Sequence, residues 1–123
     1  ARLLAALVNA VLATAQAGDA RGLMDIRLKA GVRARGISPV MVIPIIIARE
    51  IYSDVDSPLV ITSITDGQHR IGSLHYVGDA LDLRLPKTDP NRVIARLRDA
   101  LGGDFDVVLE TDHIHIEYDP VRP

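Results

Sequence analysis

The chain has 123 residues, of which 48% are hydrophobic, and it carries a formal net charge of −2. That length is sufficient for one compact domain with an apolar core, and the near-neutral charge argues against a nucleic-acid-binding surface. Because the chain has no cysteine, disulfides, thiolate metal sites and cysteine nucleophiles are excluded. Any metal ion must therefore be held by histidine or carboxylate side chains.

The N-terminal residues 1–22 are apolar and rich in alanine. We predict an amphipathic helix here rather than a retained secretion signal, and we expect no membrane span. Asn9, Thr14 and Gln16 interrupt the apolar run before it reaches membrane-spanning length. Since the chain also lacks an initiator methionine, we expect a processed product or a piece of a larger parent protein, such as a virion component.

The next stretch of the chain predicts a strand followed by a helix. Apolar and charged residues alternate over residues 26–32, as in a half-buried strand. Ser38 and Pro39 then favour the start of a buried helix over residues 39–53, because both residue types are preferred at helix N-termini. Pro44 lies inside this segment and predicts either a kink or a late helix start.

The second half of the chain predicts strands, one helix and a C-terminal hairpin. Residues 58–64 are rich in β-branched side chains and end at a turn, as a strand does. Residues 79–85 alternate, so Asp82 lies on the face opposite a row of leucines. A helix is predicted over residues 88–101, and the apolar stretches within 105–120 predict a hairpin or a bulged strand. The whole chain is therefore expected to form a single α+β domain, with a small antiparallel sheet packed against helices.

The four histidines fall in two clusters, His69 and His75 before the Asp82 strand, and His113 and His115 on the last strand. His113 and His115 are two residues apart, so their rings project from one strand face about 7 Å apart. Two histidines and one carboxylate can form a zinc site with one open position. His75, Asp82 and His115 could supply that set for one zinc ion. Such an ion activates water and polarises a carbonyl, which makes amide hydrolysis the natural reaction.

Two segments, TDGQHRIGSLHYVGDALDLRL (65–85) and FDVVLETDHIHIEYDP (105–120), resemble one zinc-peptidase superfamily. That superfamily unites D-alanyl-D-alanine carboxypeptidases, phage L-alanyl-D-glutamate endopeptidases and the hedgehog signalling domain. Its pattern is Ser-x-His-x6-Asp followed later by His-x-His, and the match covers about residues 58–119. The resemblance implies a hedgehog-like or D-Ala-D-Ala-peptidase-like fold, one zinc ion, and peptidase activity on the peptide stems of bacterial peptidoglycan.

The resemblance also implies roles for individual residues. The three that would ligate zinc are His75, Asp82 and His115. His69 and His113 would stabilise the oxyanion that forms on the scissile carbonyl. Ser73 resembles the family's substrate-contacting serine, and Arg70 is a further candidate for substrate binding. Gly78 lies between the first two ligands, where a glycine can take a backbone conformation that other residues avoid.

The general base has two candidates. Phage endopeptidases of this kind place an acid three residues before the last histidine ligand, which corresponds to Asp112, whereas hedgehog's glutamate lies further upstream and favours Glu110. On an unbroken strand both side chains would point away from His115, since both are an odd number of residues from it. Either choice requires an irregularity before His113. We prefer Asp112, because it sits at the presumed break in the strand.

One departure from the carboxypeptidase pattern bears on the bond that is cut. Many D-alanyl-D-alanine carboxypeptidases have an arginine three residues after a strand serine, where it pairs with the substrate's carboxylate, but Ser63 is followed at that spacing by Asp66. An anion there would repel a terminal carboxylate, although Arg70 and Arg84 are alternative cations. We therefore expect an endopeptidase acting at the bacterial cell wall, such as a phage lysin or virion-associated hydrolase. Two other hypotheses stay open: a catalytically silent, zinc-containing binding module, and a structural α+β domain with incidental histidines.

Overall fold

The computed structural model describes residues 23–67 and 72–120. The helix predicted in residues 1–22 and two predicted site residues, His69 and Arg70, lie outside the described residues. The helices and strands of the described part are β1 (Ile26–Leu28), α1 (Val42–Asp54), β2 (Leu59–Ser63), β3 (Ala80–Arg84), α2 (Pro90–Leu101), β4 (Phe105–Leu109) and β5 (His113–Tyr118), with 3₁₀ helices at Pro39–Met41 and Leu74–Val77. Among the described residues, no helix has the length and apolar content needed to cross a membrane.

The α+β class is confirmed, but the sheet is mixed rather than antiparallel. Its strand order is β1-β2-β3-β5-β4. β1 pairs with β2 in parallel, and the other three pairs are antiparallel. The expectation of a purely antiparallel sheet is wrong for β1 because α1 lies between β1 and β2. A crossover of that kind returns the chain to the end of the sheet at which the first strand began.

Strand β1 is shorter and more exposed than its sequence pattern predicts. It has three residues, and all three side chains are exposed, so the half-buried strand expected over 26–32 is wrong in length and burial. Pairing continues one residue further, where the Lys29 N–H donates to the Ile61 carbonyl at 2.9 Å. The chain then turns at Gly31, which has a φ of 89°. As the edge strand, β1 has a single neighbour and carries little of the core.

The helix predicted over 39–53 is present with the late start that Pro44 indicates. The 3₁₀ helix Pro39–Met41 leads directly into α1, which begins at Val42. Pro44 is then in the first turn of α1. Backbone N–H groups in the first turn have no intrahelical acceptor, so the missing N–H of a proline costs no helix hydrogen bond there.

The helices and one face of the sheet share a single apolar core. The sheet contributes the buried residues Leu59, Ile61, Leu81, Leu83, Val107, Ile114 and Ile116, and the helices contribute Ile47, Ile51, Tyr52, Val93, Leu97 and Leu101. The Tyr52 hydroxyl donates to the Arg84 carbonyl at 2.6 Å, and this hydrogen bond connects α1 to β3. Burial raises the pKa of the Tyr52 hydroxyl. Because side chains alternate along a strand, the residues between the buried ones on β3 and β5 face the other side of the sheet.

The 3₁₀ helix Leu74–Val77 is held against a neighbouring loop through Gly78. Gly78 ends this helix in the left-handed region, with φ 82°, so the special backbone conformation predicted for it is confirmed. The Ser38 N–H donates to the Gly78 carbonyl at 3.0 Å. A Cβ on Gly78 would lie 2.0 Å from the carbonyl oxygen of Gly36. Only glycine therefore permits this approach of the two segments.

Gly78→Ala should lower the free energy of unfolding by clearly more than Gly31→Ala does. Each substitution places a Cβ in the left-handed region, which costs about 1–2 kcal/mol. Only at Gly78 does the new Cβ also meet backbone atoms, because nothing lies within 4 Å of a Cβ at Gly31. Urea denaturation of both variants measures the difference. Equal losses would contradict the close packing against Gly36.

Candidate metal centre

The three predicted metal ligands, which lie on separate elements, converge on one point. His75 Nε2 lies 3.2 Å from Asp82 Oδ1 and 3.3 Å from His115 Nδ1, and the last two atoms are 2.9 Å apart. Around a tetrahedral zinc ion with ligand bonds of about 2.0–2.1 Å, neighbouring ligand atoms are about 3.3–3.4 Å apart. The observed triangle is close to that size. These residues could therefore hold one metal ion with little movement.

Strand register positions two of the ligands, and a short helix positions the third. Asp82 on β3 is the direct partner of His115 on β5, and directly opposed residues share a sheet face. His75 lies on the 3₁₀ helix Leu74–Val77. The hydroxyl of Ser73 caps that helix by accepting the His75 backbone N–H at 3.2 Å. Ser73 thus orients a ligand-bearing helix, while its contact with substrate stays a prediction.

The remote nitrogen of each ligand histidine already has a partner. His75 Nδ1 lies 2.6 Å from the Ile64 carbonyl oxygen, and His115 Nε2 lies 2.8 Å from Glu117 Oε1. Both partners accept hydrogen bonds, so in neutral rings the protons sit on these remote nitrogens. The facing nitrogens then present lone pairs to each other and to the Asp82 carboxylate. A cation between the three atoms would remove their mutual repulsion, and the outer hydrogen bonds orient both rings for it.

Electrostatics at the centre follow from partial burial. The side chains of His75 and Asp82 are 2% and 13% exposed. Burial would raise the pKa of Asp82, but hydrogen bonds from His115 and His75 and the positive charge of the histidines hold it well below its usual range. The hydrogen bond to Asp82 raises the pKa of His115; burial opposes this rise and Glu117 adds to it. Without metal, Asp82 is therefore favoured as a carboxylate and His115 as an imidazolium.

His113 and Asp112 lie at the rim of the ligand group. His113 shares the strand face of His115, as their spacing predicts, and its Nε2 lies 3.7 Å from Asp82 Oδ1. Asp112 Oδ1 lies 2.6 Å from His113 Nδ1. This hydrogen bond lowers the pKa of Asp112, whose side chain is 85% exposed. The rim thus offers a hydrogen-bonded acid and imidazole beside the candidate metal position.

The irregularity expected before His113 is a hairpin turn. The chain leaves β4 at Leu109 and enters β5 at His113, and the Glu110 N–H donates to the His113 carbonyl at 2.9 Å. The odd-spacing argument therefore does not apply to Glu110, because Glu110 follows the neighbouring strand. A shallow cavity of about 310 Å³ opens beside the centre. Asp82, Asp112 and His113 are among the described residues that line it, and Glu110 is not.

Glu117 is absent from the set of site residues that the sequence predicts. Strand alternation contains the signal for it, since residues 113, 115 and 117 occupy one face of β5. The Ile64 carbonyl that holds His75 has no comparable signal. A backbone oxygen brought beside a ring by tertiary packing cannot be identified from residue types.

The ligand group predicts one bound metal ion per chain. Titration with zinc should give a stoichiometry of about one, and His115→Ala should abolish this binding because it removes one of three ligands. His113→Ala is the matched control: it removes an imidazole from the same strand face but outside the ligand group. Elemental analysis after dialysis measures the zinc. Equal zinc content in the wild type and the His115 variant would contradict the assignment.

Metal should also reverse the pH dependence of stability. Without metal, the raised pKa of His115 stabilises the fold below about pH 6.5, and this contribution is lost as the pH rises through the raised value. The lowered pKa of Asp82 stabilises the fold above about pH 3.9 and is lost on acidification. Zinc and a proton compete for Nδ1 of His115, so stabilisation by zinc grows as the pH rises.

Denaturation between about pH 6 and pH 8 tests this reversal. We expect the free energy of unfolding to fall with rising pH in the metal-free protein and to rise in the zinc-loaded protein. His115→Gln should flatten both slopes. Identical slopes with and without zinc would show that the ion does not compete with a proton on His115.

No protein-family model, curated protein or solved structure matches this chain. The candidate metal centre therefore rests on the convergence of the three ligand atoms and on the hydrogen bonds that orient the two rings.

Proposed function

We propose that the protein is a zinc-dependent peptidase that hydrolyses amide bonds in the peptide stems of bacterial peptidoglycan, as an endopeptidase rather than a D,D-carboxypeptidase. The observation that carries this proposal is the ligand triangle with an acid and an imidazole at its rim. Two imidazoles and one carboxylate are a ligand set that suits a catalytic zinc ion with an open position. When bound, zinc would supply an activated water molecule and polarise the substrate carbonyl.

Asp112 is the proposed general base. A base must be ionised before it accepts a proton, and the hydrogen bond from His113, which lowers the pKa of Asp112, favours the ionised form. The carboxylate is exposed at the rim of the cavity, so a bound substrate would cover it. Removal of surrounding water raises the pKa of a carboxyl group. Substrate binding would therefore strengthen this base at the moment when it is needed.

His113 is the proposed donor to the oxyanion. Its Nδ1 faces Asp112 at 2.6 Å, which leaves Nε2 for a substrate. Nε2 donates together with Nδ1 only in the protonated ring, so this role requires His113 as an imidazolium. A donor already in place beside the carbonyl oxygen acts mainly on the transition state, where negative charge develops.

The surroundings of Asp66 support cleavage within a peptide rather than at its end. Asp66 Oδ1 accepts the backbone N–H of Ile64 at 3.0 Å and that of Arg33 at 2.9 Å. The carboxylate therefore caps the turn after β2. In the carboxypeptidases that the sequence resembles, this spacing carries an arginine that pairs with the terminal carboxylate. A fixed anion at the position is unfavourable for such substrates.

Digestion of purified cell walls tests the proposed function. Walls from several bacteria are incubated with the zinc-loaded protein, and the newly formed ends are identified by mass spectrometry. New N-terminal D-glutamyl or diaminoacyl ends are the expected result, whereas free D-alanine would indicate a carboxypeptidase. A folded, zinc-loaded protein that releases no new ends would be a binding module instead.

Asp112→Asn should keep zinc and fold but lower the rate of hydrolysis by about 10²- to 10⁴-fold, the usual contribution of a general base. Glu110→Gln is the matched control, because it also neutralises one carboxylate of the hairpin turn, and it should remain active. Initial rates on a soluble wall peptide, with zinc content measured on the same samples, make the comparison. An inactive Glu110 variant beside an active Asp112 variant would reverse the assignment.

A further inference from the structure

Beside the candidate metal centre, the cavity contains two cationic side chains that the proposed mechanism does not use. The described residues that line the cavity are Lys29, Thr62, Ser63, Asp82, Arg84, Asp112 and His113. We propose that Lys29 and Arg84 form a subsite for an internal carboxylate of the substrate. The ligand is the free α-carboxylate of a D-glutamyl residue that continues the chain through its side-chain carboxyl group. The identity of the substrate rests on the proposed function; the anion site itself does not.

The sheet brings the two cations to one face. Arg84 is two residues from Asp82 on β3 and is the direct partner of His113 on β5, so it lies on the face that carries the metal ligands. Lys29 directly follows β1 and is anchored by its N–H bond to Ile61. Both residues thus line the cavity that Asp82 and His113 also line.

Neither cation is neutralised within the described part of the chain. No described carboxylate lies within ion-pair distance of Lys29 or Arg84. The two acids of the cavity wall contact histidines rather than these cations: Asp82 lies 2.9 and 3.2 Å from the ligand histidines, and Asp112 lies 2.6 Å from the His113 ring. Lys29 and Arg84 are therefore the cations of the wall that an incoming anion can contact.

An irregularity in β2 adds a neutral donor to the same cavity. The β2–β3 register shifts between Ile61 and Ser63, and both Thr62 and Ser63 line the cavity as a result. The Ser63 hydroxyl donates to the Asp66 carbonyl at 3.3 Å, so Thr62 is the better placed hydroxyl to donate to a ligand. Two cations and a hydroxyl suit a carboxylate, which accepts several hydrogen bonds at once.

The cavity's size and position define where that carboxylate sits in the substrate. Its volume of about 310 Å³ is at the small end of the range for ligand sites, which fits one acidic residue. Asp82, Asp112 and His113 belong both to the cavity wall and to the centre or its rim. A group bound in the cavity therefore lies next to the reacting amide. A carboxylate on the residue adjoining the scissile bond meets this condition, and in a substrate of the proposed endopeptidase that residue continues the chain, so the carboxylate is internal.

Four peptides built on N-acetyl-L-alanyl-γ-D-glutamyl-L-alanine test the proposal. The glutamyl α-carboxylate and the terminal carboxylate are each either free or amidated, so charge changes while shape is kept. Isothermal titration calorimetry on the zinc-loaded protein measures affinity, and chromatography of each sample checks for hydrolysis. We expect amidation of the glutamyl α-carboxylate to weaken binding about tenfold, as for loss of hydrogen bonds to a charged group. Amidation of the terminus should have little effect. Affinity that depends only on the terminal carboxylate would overturn the proposal.

Substitution of the two cations tests whether they cause the preference for the free glutamyl α-carboxylate. The double variant Lys29→Gln/Arg84→Gln should bind the free and amidated glutamyl peptides equally, with zinc content and fold unchanged. Arg92→Gln is the matched control, because it removes one positive charge from an exposed position of α2, on the helical side of the sheet. A double variant that still prefers the free α-carboxylate would exclude Lys29 and Arg84 from the subsite.

The failures of the two proposals are distinguishable. A protein that binds the free α-carboxylate selectively but cleaves no peptide would refute the hydrolase and leave the subsite intact. A protein that cleaves the free and amidated glutamyl peptides with equal KM, and binds them equally, would refute the subsite and leave the hydrolase intact.

Discussion

The described structure around the site depends on one contact, the meeting of two imidazole nitrogens and one carboxylate oxygen within 3.3 Å of each other. With both remote nitrogens donating outward, to Ile64 and Glu117, no proton remains between neutral rings and the carboxylate. Three lone-pair-bearing atoms at this separation repel unless a proton or a cation lies among them. This requirement explains both the shifted pKa values of Asp82 and His115 and the capacity of the group for metal.

The fold keeps this contact separate from its own core. On β3 and β5, the leucines and isoleucines that pack against the helices alternate with the residues that carry the chemistry. A slip of one residue in register would bury the polar set and expose the apolar set, so core packing enforces the register that opposes Asp82 and His115. Substitutions on the sheet face that carries the metal ligands can therefore change the side chains there without loss of the apolar core. For the same reason, core substitutions should affect the centre mainly through global stability.

The parts of the molecule that follow from local pattern could be predicted from the sequence. Alternation identified the β3 face that carries Asp82, and the i, i+2 spacing placed His113 and His115 together. The same alternation places Glu117 on the face of His113 and His115, but alternation alone does not indicate that Glu117 orients a ligand. Pattern alone could not indicate that β1 pairs in parallel and stays exposed, because pairing partners and edge position are tertiary properties. Nor could it indicate that the chain leaves β4 just before Glu110, since this depends on where the hairpin turns.

The centre is asymmetric in how its ligands are supported. Asp82 and His115 are opposite each other in a paired sheet, whereas His75 depends on loop contacts from the Ile64 carbonyl, the Ser73 cap and the packing of Gly78 on Gly36. Loop segments open at lower free energy than paired central strands. A bound ion would link the loop segment that carries His75 to the paired strands that carry Asp82 and His115, because it would contact all three residues. The free energy of metal binding would thus act mainly to fix the 3₁₀ helix that carries His75.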